Sequence, residues 1–157
     1  AASASGRGAL TGVRRMTNEA SQRFLLDANV VIAVIDQQHE HHTAAVDWFE
    51  MLGDQVAITC PTVENACLRY LIRTGVSATD AHAVLTGLKA DRRVTFAPET
   101  SSMSTASLHG VIGFRQVTDV YLCQVAAEAD ALLATFDGGL HQMRPRRTLR
   151  VPTAQGS

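Results

Sequence analysis

The chain of 157 residues has a single lysine, Lys89, only three cysteines and no long apolar run. The scarcity of lysine argues against a mechanism that needs a catalytic amine. The number of cysteines is odd, and none of the three (Cys60, Cys67 and Cys123) forms a C-x-x-C pair with another. This pattern predicts reduced core thiols in a cytoplasmic protein. Because no apolar stretch approaches the length of a bilayer span, the sequence predicts no transmembrane helix.

Acidic residues are absent after Asp137. The formal net charge is −1, so the overall charge does not indicate a nucleic-acid partner. The charge is nevertheless uneven, because four arginines follow that aspartate: Arg144, Arg146, Arg147 and Arg150. Two interpretations stay open, a solvated basic tail and an edge that faces phosphates.

The composition fits a globular protein, with 46% hydrophobic and 18% charged residues, and the length fits one domain. Residues 1–20 are polar, small or basic, and they lack the apolar core of a signal peptide. We therefore expect residues 1–20 to form a flexible N-terminal extension or a tag remnant. Residues 21–157 are expected to form the single domain.

Short apolar runs alternate with helical patterns along this domain. Helical periodicity is clearest in residues 61–74, where Pro61 occupies a first helical position, and in the stretch that Ser77 caps. Residues 100–116 are Ser-rich and give only a weak helical pattern. This alternation predicts a parallel sheet with helices on both faces. Strands are expected at residues 24–26, 56–60, 93–98, 131–136 and 148–151.

Four acidic residues occupy the ends of these predicted elements. Asp27 and Asp137 each follow a strand. Glu64 and Asp119 are expected in the first turns of helices, with Thr118 as the cap before Asp119. Because strand carboxyl ends and the helix starts after them share one edge of an α/β sheet, the four side chains can converge there.

Clustered carboxylates repel one another, and Mg²⁺ or Mn²⁺ relieves the repulsion with hard oxygen ligands. Such sites lower the pKa of water and stabilise phosphodiester displacement, so neither lysine nor cysteine is needed. Taken singly, each aspartate is also a common turn residue or helix cap, and an acid in a helical first turn is ordinary dipole matching. It is the joint placement of the four that favours a metal site.

Five segments of the chain resemble motifs of PIN-domain proteins, in the order that this family has them. The match runs from about Phe24 to Val151. The segment His39–Trp48 resembles a stretch common in mycobacterial-type VapC toxins. The other four carry the acidic motifs: Leu25-Leu26-Asp27-Ala28-Asn29-Val30, Pro61-Thr62-Val63-Glu64-Asn65-Ala66-Cys67-Leu68-Arg69, Val117-Thr118-Asp119-Val120-Tyr121-Leu122 and Leu133-Ala134-Thr135-Phe136-Asp137-Gly138-Gly139-Leu140.

The resemblance implies a three-layer α/β/α PIN-like fold with a central, mostly parallel sheet. It implies an endoribonuclease dependent on Mg²⁺ (or Mn²⁺) that acts as the toxin of a type II toxin–antitoxin pair. A cognate VapB-like antitoxin, an RNA substrate and a homodimer are the partners it implies. The family's catalytic and metal-binding acids match Asp27, Glu64, Asp119 and Asp137.

Further polar positions of the family match Asn29 and Thr118 near the metals and Thr135 just before the last acid. Together with Arg115, they form the predicted substrate-binding set. Arg115 precedes the third motif and is either a phosphate contact or a solvated loop residue. The fourth acid varies within the family, which makes Asp137 its least constrained ligand. Position 138 is glycine here where a basic residue is frequent in the family, which predicts a weaker contact with substrate.

Other functions remain open. His39, His41 and His42 suggest a zinc site, since His39 and His42 would share a helix face. Zinc is disfavoured because no nearby residues are placed to hydrogen-bond and orient such histidine ligands. An acidic-cleft phosphatase or receiver-like phosphoacceptor would need an Asp-x-Asp opening or a lysine on a later strand, whereas Lys89 is predicted at a helix end. The remaining alternative is a PIN-like module that binds RNA or protein without cutting, which the loss of one acid would favour.

Overall fold

The computed structural model describes residues 21–153. The predicted extension at residues 1–20 and the end of the predicted domain at residues 154–157 lie outside this range. Strands and helices alternate as expected, with a short 3₁₀ turn at Met103–Thr105. The elements are β1 (Arg23–Leu26), α1 (Ala28–Ile35), α2 (His42–Glu50), β2 (Val56–Thr59), α3 (Pro61–Arg73), α4 (Ala78–Lys89), β3 (Val94–Phe96), α5 (Arg115–Glu128), β4 (Leu132–Thr135), α6 (Gly138–Met143) and β5 (Thr148–Arg150).

The five strands form one sheet in the order β3-β2-β1-β4-β5, and every pairing is parallel. From β1 the chain moves outward to β2 and then β3, and it returns across the sheet to β4 and β5. Because parallel crossovers are right-handed, this reversal places α1–α4 on one face and α5–α6 on the other. The predicted α/β class, with helices on both faces, is confirmed.

The strand interiors form the centre of the core. Leu25, Leu26, Ile58 and Leu133 are completely buried, and each such side chain contributes about 1.5–3 kcal/mol through removal from water. The three cysteines are free and buried, as predicted. Burial raises the pKa of the Cys60 thiol to about 12, so this thiol stays protonated. Between residues 21 and 153 no helix has the length and apolar character needed to cross a bilayer.

The helices α3 and α4 begin where the sequence predicts. Pro61 is the first residue of α3, where its missing N–H costs nothing. The Ser77 hydroxyl caps α4 by accepting a 3.0 Å hydrogen bond from the Asp80 N–H. Cys60 provides no side-chain cap for α3. Instead, a carboxylate oxygen of Glu99 accepts from the Thr62 N–H at 2.6 Å.

Two predictions about the last two helices, α5 and α6, were wrong. The helix α5 begins at Arg115, so Thr118 lies inside it and Asp119 lies beyond its first turn. The helix starts early because the Gln116 carboxamide oxygen accepts from the N–H groups of Ile112 and Gly113, at 2.8 and 3.1 Å, and fixes the preceding loop. No helix was predicted between the strands expected at residues 131–136 and 148–151, but Gly138–Met143 forms the short helix α6.

The histidine-rich segment also differs from expectation. The helix expected to carry both His39 and His42 begins only at His42, so these two residues do not share a helix face. The His42 ring lies 2.8 Å from the Ala33 carbonyl oxygen, and the His39 ring accepts from the His41 N–H at 3.1 Å. These contacts brace the turn between α1 and α2. As placed, no group of three acidic, histidine or cysteine side chains in residues 21–153 is close enough together to hold a metal ion.

Candidate active site

The reversal of strand order occurs between β1 and β4, which are neighbours in the sheet. Ligands of open α/β sheets bind at this position, outside the carboxyl ends of the strands. Asp27 directly follows β1, and Asp137 lies two residues beyond β4. Asp119 approaches from α5, and its charge interacts with those of both other aspartates. Three of the four predicted acids therefore meet at one edge of the sheet.

Asp27 is the most buried of these acids, with 6% of its surface exposed. Burial raises the pKa of its carboxyl group, and the Asp137 charge raises it further. Hydrogen bonds from Thr135 and from the backbone of Ala28 and Asn29 oppose this rise without cancelling it. The carboxylate is thus held in a fixed place at a substantial electrostatic cost.

Thr135 is the hydrogen-bond centre of the site. Its hydroxyl donates to Asp27 Oδ2 at 2.7 Å and accepts from the Asp137 N–H at 3.0 Å and the Asn29 amide at 3.3 Å. A hydroxyl has one proton and two lone pairs, so these three contacts satisfy it. Because the side chain is also fully buried, the predicted contact between Thr135 and substrate does not fit the structure. Thr135 instead orients Asp27.

Asn29 supports the same junction from the first turn of α1. Its amide nitrogen donates to Thr135, and its carbonyl oxygen accepts from the Phe136 N–H at 3.3 Å. Both ends of the side chain therefore connect the loop after β1 to the loop after β4. Asn29 therefore lies beside the acids, as its match to a family position implied. Its hydrogen bonds hold the two loops that carry the acids.

Asp119 is partly exposed, on the side of α5 that faces the other acids. Burial first, and then the charges of Asp27 and Asp137, raise the pKa of its carboxyl group from 3.8 to about 6. The N-terminal helix dipole does not offset this, because Asp119 lies in the second turn. The raised pKa of Asp119 therefore reflects first the burial of its carboxyl group and second the nearness of two other carboxylates.

Asp137 has two roles in the geometry. Its carboxylate caps α6 by accepting from the Leu140 N–H at 2.9 Å, which is the ordinary function of an aspartate before a helix. It nevertheless remains exposed and close enough to raise the pKa of Asp27 and of Asp119. Capping uses Oδ1, which leaves the second oxygen available to a ligand.

Glu64 is held apart from these three carboxylates. One of its oxygens accepts from the Thr59 hydroxyl at 2.8 Å and forms an ion pair with the Lys89 ammonium at 2.7 Å. Glu64 is also not among the main causes of the raised pKa of Asp27 or of Asp119, whereas Asp137 is a cause of both. The structure thus brings Asp27, Asp119 and Asp137 near one another, whereas Glu64 lies at the start of α3 and is paired with the only lysine of the chain.

Asp27, Asp119 and Asp137 offer the kind of oxygen ligands that a hard divalent cation takes, and as placed they stand further apart than the ligands of a bound ion. Among residues 21–153 no lysine or arginine forms an ion pair with Asp27, Asp119 or Asp137. The donor set consists of carboxylate oxygens, which are the ligands that Mg²⁺ and Mn²⁺ prefer. Since their mutual repulsion already raises two pKa values, a bound cation would relieve it.

Thr118 and Arg115 lie on the exposed surface of α5. Thr118 lines a cleft of about 660 Å³ with residues of α1 and α3, including Ile32, Asn65 and Arg69. The Arg115 guanidinium lies 5.7 Å from the centre of the Phe114 ring, and that ring is 84% exposed. Both residues can therefore reach a ligand that approaches Asp119, which lies at most one helical turn away.

Sequence reasoning missed three residues around this edge. Lys89 pairs with Glu64, Glu99 replaces the missing cap of α3, and Arg150 lies beside Gly138 at the end of β5. Only Arg150 carried a signal, since it belongs to the basic series after Asp137. The other two contacts join distant segments, and no local pattern reports them.

Comparison with known proteins agrees with this geometry. Residues 24–144 match the model of the PIN domain family. The chain is 41% identical over 129 residues to ribonuclease VapC29 of Mycobacterium tuberculosis, with 82% of this chain and 96% of that protein covered. It is 30% identical over 137 residues to ribonuclease VapC38 of the same species, covering 82% and 97%.

Solved structures show the same fold at low sequence identity. VapC20 of Mycobacterium tuberculosis, described as a toxin that cleaves the sarcin–ricin loop, aligns with a TM-score of 0.62 at 12% identity. That alignment covers 82% of this chain and 98% of VapC20. VapBC2 from Rickettsia felis, solved bound to a DNA fragment from its promoter, aligns with a TM-score of 0.59 at 13% identity and covers 82% and 96%.

Proposed function

The chain belongs to the PIN-domain family, and on this premise we propose that it is a divalent-metal-dependent endoribonuclease acting as the toxin of a VapBC-type toxin–antitoxin pair. The observation that carries the proposal is the convergence of Asp27, Asp119 and Asp137 at the carboxyl edge between β1 and β4. The names of the relatives, ribonucleases VapC29 and VapC38, supply the reaction class.

Asp27, Asp119 and Asp137 would hold Mg²⁺ or Mn²⁺, with Glu64 completing the set of acids. Such an ion lowers the pKa of a water molecule and neutralises charge on a phosphodiester. The protein must keep the acids ionised and fixed so that little reorganisation accompanies the reaction. Thr135 fixes Asp27, Asn29 fixes Thr135, and the cap of α6 fixes Asp137.

The Glu64–Lys89 ion pair controls the fourth ligand in this proposal. Glu64 already lies at the start of α3, and its carboxylate is also oriented by Thr59 at the end of β2. To reach the other acids it must leave the Lys89 ammonium, whose nitrogen also lies 4.5 Å from the centre of the Phe96 ring. The ring provides a cation–π contact that retains the lysine after Glu64 moves.

RNA would approach along the cleft between α1, α3 and α5. Thr118, Arg69 and Arg73 line this cleft and offer a hydroxyl and two positive charges to a sugar–phosphate chain. Arg115 and the exposed Phe114 ring lie at the start of α5, where an aromatic ring can stack on an unpaired base. These contacts suit a single-stranded segment, because its bases and phosphates are both accessible.

The proposed partners follow from the same family relation. A VapB-like antitoxin would inhibit the nuclease, and the chain would act as a homodimer in the cytoplasm, where RNA and antitoxin are available. Exposed apolar side chains on the helical face support protein contacts: Met51 is 82% exposed and Ile72 is 49% exposed. Both lie at or near the ends of α2 and α3, on the layer opposite α5 and α6.

Cleavage of a mixed cellular RNA pool by the purified, antitoxin-free protein tests the proposal. We expect cutting with Mg²⁺ or Mn²⁺, none in excess chelator and none by Asp27→Asn. Mapping of the new RNA ends would identify the substrate, and addition of the cognate antitoxin should stop the reaction. Cleavage that persists in chelator would contradict metal dependence. A folded protein that binds RNA with metal present but never cuts it would favour the non-cleaving module.

A further inference from the structure

Arg150 ends the edge strand β5 on the same side of the sheet as the acidic cluster. Its Cα pairs in register with Thr135, the residue that orients Asp27. The strands are parallel, so the carboxyl end of β5 lies beside the carboxyl end of β4 and the loop that carries Asp137. Arg146 and Arg147 precede β5 and therefore lie at the opposite edge. The basic series after Asp137 is thus divided between two edges of the sheet.

The Arg150 guanidinium occupies space that a side chain at position 138 would take. A Cβ built on Gly138 would lie 3.2 Å from Arg150 Cζ, 3.4 Å from Nη2 and 3.5 Å from Nη1. The contact with Cζ is tight enough that the guanidinium would have to shift by a few tenths of an ångström, and the contacts with the two nitrogens are close to ordinary van der Waals distance. Gly138 immediately follows Asp137, so its missing side chain leaves room for a cationic group from β5 directly beside the cluster.

The other well-fixed arginines of the fold are already engaged with protein atoms. Arg93 donates to Asp91 and Glu50, and Arg23 donates to the Ala129 carbonyl oxygen. Arg150, by contrast, has neither an ion pair nor a side-chain hydrogen bond to any residue between 21 and 153. Its side chain is exposed, so the planar fork of N–H donors is free to receive an anion.

From this geometry we infer that Arg150 binds a backbone phosphate of the RNA next to the phosphodiester that is cut. The inference rests on the proposed nuclease function and adds a substrate-positioning residue to it. A guanidinium matches phosphate oxygens with two parallel hydrogen bonds, and it would fix the register of the strand over the carboxylates. Arg150 thereby supplies from β5 the positive charge that position 138 lacks.

Binding and cleavage are measured separately to test this role. A fluorescein-labelled, mixed-sequence single-stranded RNA is titrated by anisotropy in chelator, with Asp27→Asn as the parent to exclude cutting. Arg150→Gln in this parent should weaken binding about tenfold, as expected for loss of a charge-assisted bidentate contact. The slope of log K against log salt should fall by about 0.7, the value for one phosphate of a single strand. In the metal-loaded enzyme the same substitution should raise KM more than it lowers kcat.

Two further variants make the test specific. Arg146→Gln removes the same charge from the exposed loop before β5 and should change neither the affinity nor the salt slope. The double variant Arg150→Ala/Gly138→Arg moves the cation to the neighbouring backbone position and should recover most of the lost affinity. Thermal melting verifies that each variant is folded.

Unchanged affinity and KM in Arg150→Gln would overturn the inference. Equal losses in Arg150→Gln and Arg146→Gln would also overturn it, because they would indicate only a diffuse effect of charge. Normal RNA binding combined with lost inhibition by antitoxin would assign Arg150 to the protein partner instead. The parent nuclease is assayed in parallel, since failure of that protein to cut RNA contradicts the proposed function, whereas these outcomes concern Arg150 alone.

Discussion

The Thr135 hydroxyl donates a 2.7 Å hydrogen bond to Oδ2 of Asp27, between residues 108 positions apart in the chain. The same oxygen accepts from Asn29 and from the Asp137 N–H, which forces its only proton towards Asp27. One buried hydroxyl therefore joins the loops after β1 and β4 and fixes the most buried acid of the site.

Replacement of Thr135 by valine keeps the shape of the side chain but removes this hydroxyl. We expect unfolding free energy to fall by about 1–3 kcal/mol, because Asp27 loses a donor and two N–H groups lose their acceptor. RNA cleavage should fall by about 10–100-fold, as for loss of an outer-shell partner of a metal ligand. Urea unfolding and initial cleavage rates measure the two effects.

Thr135→Ser is the matched control, since it retains the hydroxyl and deletes only a methyl group. It should keep most of the activity. Equal activity of Thr135→Val and wild type would show that the orientation of Asp27 does not depend on this bond.

Asp27→Asn should separate function from stability. Cleavage should fall by more than about 100-fold, since loss of a ligand exceeds loss of an outer-shell partner. The metal-free fold should be as stable as wild type or more stable, because the change removes a buried charge from a repulsive cluster. Chemical denaturation in chelator measures the second effect.

The same change at Asp54, which is almost fully exposed far from the acids, is the control and should alter neither property. A fully active Asp27→Asn protein would refute the site.

The stability of the metal-free protein should depend on the protonation of Asp119. Its folded pKa of about 6 exceeds the ordinary value of 3.8, so the folded state retains a proton that the unfolded chain releases. Stability should therefore fall as pH rises from about 4 to 6 and stay low above that window. Melting temperatures in chelator across this range measure the decline.

Asp119→Asn removes the titrating group and provides the comparison. The advantage of this variant over wild type should grow with pH through the same window, and saturating Mg²⁺ should abolish it. An advantage that shrinks as pH rises would have the wrong sign and would contradict the assignment of Asp119 to a repulsive cluster.

Lys89→Met should make Glu64 easier to recruit. The ion pair is partly exposed, with 34% of the lysine side chain accessible, so it is worth at most about 1 kcal/mol. The Mg²⁺ concentration for half-maximal cleavage should consequently fall by about two- to fivefold. Lys89→Arg keeps the positive charge and should change this Mg²⁺ concentration little. A Lys89→Met protein that needs more Mg²⁺ would indicate that the lysine supports the site in its present position.

The sequence predicted the central features of the fold because they depend on local pattern. The apolar run before Asp27 forms a buried strand, Pro61 is the first residue of α3, and the Ser77 hydroxyl caps α4. Because the strands are parallel, their carboxyl ends then lie at one edge of the sheet. Asp27 and Asp137 were placed correctly at the carboxyl edge for this reason.

The errors came from contacts that local propensity does not report. Gly138 and Gly139 disfavour a helix, yet the Asp137 cap and the burial of Leu140 stabilise α6. The return contacts of Gln116 start α5 four residues before Asp119. Likewise, the pairing of Glu64 with Lys89 joins α3 to the end of α4, and no spacing rule in the sequence indicates it.

Direct observation of bound manganese would show whether the acids at the β1–β4 edge form a divalent-metal site. Crystals of the protein grown with Mn²⁺ would locate the ion by anomalous scattering, and Asp119→Asn crystals would serve as the comparison. We expect manganese coordinated by carboxylate oxygens of Asp27 and Asp119, with Glu64 moved away from Lys89, and a weak or absent peak in the variant. Manganese that binds elsewhere, or that leaves Asp27 without a metal contact at saturating concentration, would contradict this expectation.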